Sequence, residues 1–160
     1  FGYNPLVRAL GGQDAERLRR RLAGRFQIAV RPEPEPDAPG VFAMYAGGAW
    51  TVLRPRPGVV PTGDPVAAMD ASVLQNEILS PLLGIDDPRT EERLAFVPGT
   101  LGVAELRRRV DSGAFAAAFA LHPARVADVI AVAEAGGVVP PKSTWFAPKV
   151  RSGLVLHRLW

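Results

Sequence analysis

Apolar and polar positions follow two periods along this chain, and the switches between them mark its elements. In residues 13–24, Leu18 and Leu22 stand four apart among arginines, which predicts a helix with one buried stripe, ended at Gly24. Residues 26–30 then alternate as a strand. Residues 41–46 and 49–54 are strand-like runs joined by Gly47-Gly48, two glycines that suit the positive φ of a tight primed hairpin turn. Leu74, Ile78 and Leu82 step by four behind Asp70, which predicts a helix with Asp70 as its N-cap, interrupted at Pro81, recapped by Ser80 and terminated by Gly84. Residues 93–97 read as a strand and 103–110 as a helix closed by Gly113. The almost wholly apolar run 115–121 predicts a strand in mid-sheet, covered on both faces. A helix with Pro123 at its first position carries Val126, Val129, Ile130 and Ala133 and ends at Gly136-Gly137, and residues 154–159 close the chain as a strand. Residues 31–40 and 55–65 are rich in proline and glycine and predict exposed loops. A hairpin combined with helix–strand alternation predicts an α+β fold, with one domain over residues 1–160, a mixed sheet and about four helices.

Composition narrows the class. Of 160 residues, 48% are apolar, enough for a genuine core. The longest apolar runs, 113–121 and 130–141, fall well short of the roughly 20 residues that cross a bilayer, so no membrane span is expected. There is no secretory leader pattern and no cysteine, and the cytoplasm is the expected compartment. Because the chain opens on Phe1, the expectation is a C-terminal domain of a larger protein. The net charge of +3 is too small to imply a nucleic-acid partner, and the arginine clusters at 17–21 and 107–109 read as solvated helix faces, with Glu105 and Arg109 paired four apart.

Candidate chemistry concentrates near the C-terminus. Only two of the 19 basic residues are lysine, Lys142 and Lys149, and both lie in Pro140-Pro141-Lys142-Ser143-Thr144-Trp145-Phe146-Ala147-Pro148-Lys149. An ammonium is a compact point charge with three donors, whereas guanidinium is a planar fork, so this placement points to phosphate or to a tuned amine. The Ser143 and Thr144 hydroxyls and Arg151 complete a candidate anion-binding loop of Lys142, Ser143, Thr144, Lys149 and Arg151, without the glycine pattern of a Walker loop. The alternative is a side-chain-bonded turn at residues 142–144, with Trp145 and Phe146 in the core. No catalytic residue is assigned. The two histidines, His122 and His157, lack the spacing of a metal site or triad, and no metal is expected. Asp86-Asp87 and Glu91-Glu92 read as solvated loop charges. Asp70, Asp111 and Asp128 read as helix-end or helix-surface residues.

The segment from Pro140 through Lys149 and on to Leu154 resembles the C-terminal signature of the bacterial and archaeal domain of unknown function 1015 family. Residues 69–74, Ile78-Leu79 and 82–85 resemble that family's central helix block, in similar order and spacing. Family members often carry histidine where Gln75 stands, and a His-Arg pair near Asn4-Pro5. The resemblance implies a preceding portion with an Asp-Gly-His-His-Arg type motif, similar to the ParB and sulfiredoxin-like fold, which includes partition proteins and nucleotide-dependent small-molecule kinases. It therefore implies a small phosphorylated ligand and, as a partner, the N-terminal part of the same protein. The cofactor is not specified. The competing expectations are a regulatory or interaction module, docking through Trp145, Phe146 and exposed prolines, and a nucleic-acid-binding protein.

Overall fold

The computed structural model of the chain describes residues 2–144. Its elements run β1 (Tyr3–Val7), α1 (Ala15–Leu22), β2 (Phe26–Val30), β3 (Phe42–Ala46), β4 (Ala49–Pro55), α2 (Asp70–Leu74), α3 (Ser80–Leu83), β5 (Leu94–Pro98), α4 (Gly102–Asp111), β6 (Ala117–Leu121) and α5 (Val126–Glu134). A π-helical turn, Gln75–Leu79, joins α2 to α3 into one continuous body, so the helices number four in space among the described residues, and the α+β class holds. Pro81 does not interrupt this helix, because it falls where the π-helical turn, with its locally altered hydrogen bonding, passes into α3, and Gly84 ends it with φ 63°. The strand expected at 154–159 lies outside the described residues.

The six strands form one sheet in the order β2-β4-β3-β6-β1-β5. All of its described pairings are antiparallel, which corrects the expected mixed sheet. The source of the difference is β1, whose apolar residues between Asn4 and Arg8 the sequence pattern does not single out. It lies between β5 and β6 and is antiparallel to both, so these two strands run in the same direction yet never pair, a split arrangement with α4 as the crossover. At the other end of the sheet the Gly47-Gly48 hairpin forms as expected, with φ of 58° and 75°.

Both faces of the sheet are covered, and the period of two shows in the side chains. Phe42, Met44, Ala46 and Phe119 point into a core closed by Leu18 and Leu22 of α1 and by Leu74, Ile78 and Leu83. Ala43, Tyr45, Ala118 and Ala120 point into a second core closed by Leu106 of α4. Strands β3 and β6 are consequently apolar at nearly every position. Two of the arginines expected on a solvated face of α1 instead tie elements together. Arg19 donates to Thr51 Oγ1 and to the Ala46 carbonyl, and Arg21 donates to the Pro81 and Leu82 carbonyls. The second cluster does meet its expected partner, since Glu105 accepts from Arg108 and Arg109.

The ladder between β1 and β6 is short, and its shortness places the site. Cα pairing covers Leu6 with Ala118 and Val7 with Ala117, and Ala116 N–H extends it to Val7 O. Beyond that, Pro5 has no N–H to give, and the Leu121 N–H is accepted at 3.1 Å by the buried side chain of Asn4. The end of β6 thus carries polar groups where the rest of the strand carries core.

Candidate functional site

Around the Leu121 end of β6, two cavities lie on either side of a wall that includes Ala71 and Leu121. The first, about 430 Å³, has an apolar floor that includes Pro5, Leu74 and Leu79, with Gln75, Asp87 and Lys142 at its polar edges. The second, about 260 Å³, is bounded by Asp70, His122, Arg125, Asp128 and Ser143. Such mainly apolar concavities with a few converging polar groups are the usual form of small-molecule sites.

Lys142 reaches its cavity through a defined turn. The Ser143 N–H bonds back to the Pro140 carbonyl at 3.3 Å, which makes residues 140–143 a β-turn with Pro141 at its second position. Lys142 occupies the third position with φ 60°, a value that glycine or asparagine normally supplies in such a turn. A left-handed backbone costs a residue with a Cβ about 1–2 kcal/mol. The exposed ammonium lies 5.0 Å from the centroid of the Tyr3 ring, within cation–π reach. No carboxylate among the described residues pairs with it. Ser143 is buried, and its hydroxyl donates to Pro140 O at 2.7 Å, so the side-chain-bonded turn is present and the lysine stands on it. Lys142 and Ser143 therefore line different cavities, while Thr144 is half-buried and lines neither. Lys149, Arg151 and His157, like Trp145 and Phe146, lie outside the described residues.

At the opposite edge of the first cavity the acids of residues 86–87 have local partners. Asp87 is engaged by the Arg89 guanidinium at 2.9 and 3.0 Å, which holds its carboxyl below the usual range, and Asp86 accepts from the Ser80 hydroxyl at 2.5 Å. Glu91 is paired with Arg93 in the same way, and that hydrogen bond lowers its pKa to about 2. These three loop acids are partnered rather than merely solvated. Gln75, in the π turn, donates its amide to Ile85 O at 2.7 Å, which fixes the orientation of the group and leaves Oε1 buried without a partner.

Asp70 is the functional candidate that sequence reasoning passed over. The N-cap of α2 is Met69, and Asp70 is the first helical residue, so its side chain is not the cap expected of it. It turns instead to accept the Gly40 N–H at 2.7 Å through Oδ1, and Oδ2 is buried with no hydrogen-bond partner. Burial pushes this carboxyl up to about 6, against the smaller opposing effects of the Gly40 N–H and His122. The helix of residues 123–136 also begins later than expected. Val126 opens α5, with Arg125 and Asp128 bonded to each other across its first turn, and Pro123 remains outside as part of the cavity wall. That shift leaves His122 in a connecting segment beside Asp70. The sequence signal that could have found the site is the coincidence of Asp70 with a good helix start and of His122 with a strand end. Nothing in local spacing connects residues so far apart.

Among the described residues no group of three or more potential metal-ligating side chains comes together, and no helix is long and apolar enough to cross a membrane. No family model matches the chain, and no curated protein matches it either. Among solved structures, the chain is similar to a mutant of a free serine kinase in complex with AMP, with 16% sequence identity over 89% of this chain and a TM-score of 0.47. The match covers 51% of that protein, so this chain spans about half its length.

Proposed function

We propose that this chain is the C-terminal domain of a larger protein of the domain of unknown function 1015 family, and that it supplies the anion-holding lip of a site for a nucleotide or small phosphorylated metabolite. In this reading a ParB- and sulfiredoxin-like portion of the same polypeptide furnishes the remainder. The observation that carries it is Lys142, an ammonium with no carboxylate partner among the described residues, held by a left-handed turn at the edge of a cavity of about 430 Å³. Backbone strain of this kind persists where the surrounding structure over-determines it, and it concentrates at binding sites. The Ser143 hydroxyl, engaged in the turn, shapes the lip, and Lys142 supplies its charge; Lys149 and Arg151, proposed from the sequence to join it, lie outside the described residues. A metabolite-handling role and a chain without cysteine fit a cytoplasmic protein.

Calorimetric titration of the intact protein with pyrophosphate and a panel of nucleotides and sugar phosphates tests the proposal. Lys142→Ala weakens binding by about tenfold, or ~1.4 kcal/mol. Unchanged affinity for every ligand that binds would overturn it.

One observation supports a second reading, an interaction module. Val126 and Ile130 on α5 are 65% and 51% exposed, and Val138 is 83% exposed. If that face docks a partner, Ile130→Asp abolishes partner capture and leaves phosphate binding intact.

A further inference from the structure

Four facts about the second cavity converge on one ligand class. Its volume of about 260 Å³ suits a small molecule and not a nucleotide. Its wall contains the Asp70 carboxylate, whose Oδ1 accepts the Gly40 N–H while Oδ2 is closed off from solvent and makes no full hydrogen bond among the described residues, the His122 main chain giving the carboxylate only a weaker contact. The other charged groups bounding it cancel, because Arg125 Nη2 meets Asp128 Oδ1 at 2.6 Å and its Nε meets Oδ2 at 3.0 Å. His122, also on this wall, contributes an imidazole ring. One negative charge is left without a fixed counter-charge in a concave, largely apolar setting. A carboxylate in that position is stabilised most by a cation that brings its own N–H donors.

We infer that the cavity between α2, the end of β6 and α5 is a subsite for a small primary ammonium compound, with Asp70 accepting its N–H. The aspartate end torsion is broad, so a small rotation of the whole carboxylate brings Oδ2 toward an entering donor within the angular tolerance of the Gly40 hydrogen bond. The raised carboxyl, at about 6, is still ionised at neutral pH and is available to the ammonium. The apolar part of the wall, which includes Met69, Ala71 and Ala131, receives the ligand's carbon skeleton. This subsite does not depend on an anion at Lys142. The two cavities are nevertheless adjoining, and Lys142 and Ser143, consecutive in the chain, face one each.

The test is a nuclear magnetic resonance titration of the intact protein with ethanolammonium chloride, and in parallel with ethylene glycol, a molecule of similar size without the charge. Ethanolammonium produces saturable shifts at the Ala71, Leu121 and His122 amides, and ethylene glycol does not. Asp70→Asn weakens the ammonium response at least tenfold, while Lys142→Ala leaves it unchanged. Because the side-chain amide introduced by Asp70→Asn keeps an acceptor for the Gly40 N–H and removes a buried charge, this variant stays folded, which its amide spectrum verifies. Equal responses to both probes, absence of any saturable shift, or a response unaltered in Asp70→Asn would each overturn the inference. Loss of pyrophosphate binding in Lys142→Ala with the ammonium response intact separates this subsite from the anion lip.

Discussion

The two ends of β6 differ in the kind of order they contain. At Ala117 and Ala118 the strand is laddered to β1 on one side and β3 on the other, and its side chains enter the two hydrophobic cores. At Leu121 the main-chain partner is a side chain, that of Asn4, and the residues that follow face Asp70 and the Arg125–Asp128 pair. Packing at the first end would tolerate no polar group, whereas the second end gathers a half-buried carboxyl, a left-handed lysine and two cavities. Stability is concentrated at the one and given up at the other, as is common where a rigid scaffold holds a binding region.

Four substitutions probe that contrast. Phe119→Ala, at the centre of the laddered end, removes a fully buried ring and costs about 3–5 kcal/mol, read as a fall in the denaturation midpoint. Asp70→Asn, at the other end, has the opposite sign and stabilises by about 1–3 kcal/mol above pH 6. The sign follows from linkage. With a folded-state pKa near 6 and an unfolded value near the ordinary one of 3.8, the folded protein binds the proton more tightly. Stability then declines as pH rises through the window from about 4 to 6, and the gain in Asp70→Asn vanishes below it. Denaturant titrations at several pH values check this, and a variant that is less stable than the parent at neutral pH would remove the contrast. Asn4→Ala leaves the Leu121 N–H without its acceptor and costs about 1–2 kcal/mol, with faster hydrogen exchange at that amide. Lys142→Gly relaxes the turn and raises stability by at most about 1 kcal/mol, while anion binding falls as in Lys142→Ala.

The laddered end was legible in the sequence and the other was not, for a physical reason. The Gly47-Gly48 hairpin, the apolar run at 117–121 and the leucines of α1 obey rules that act between near neighbours, so their elements formed close to where periodicity placed them. Strand β1 escaped notice because Pro5 and Asn4 are poor strand residues, yet Asn4 supplies the acceptor at the point where Pro5 cannot support the ladder. The expected mixed sheet was lost with it. Lys142 was singled out from its rarity among basic residues, but its conformation was not foreseeable from a residue type that seldom adopts positive φ. Asp70 resembled an ordinary N-cap, and only the arrival of Gly40 and His122 in space changes its meaning.

The bond from Asp70 to Gly40 also bears on how this chain can vary. The proline-rich segment before Gly40 is fastened at Glu33 to Arg107 and at Asp37 to Arg54, ion pairs on the surface that are individually weak. Gly40 is the point at which that segment becomes fixed, because its amide is held by a side chain from a distant helix. Insertions or deletions among residues 31–37, ahead of Ala38, which is bonded to Val41, and of Pro39 in the cavity wall, are therefore absorbed before they reach β3, and the cavity wall keeps its shape. The loop is free to diverge in length and composition while the carboxylate behind it stays where it is.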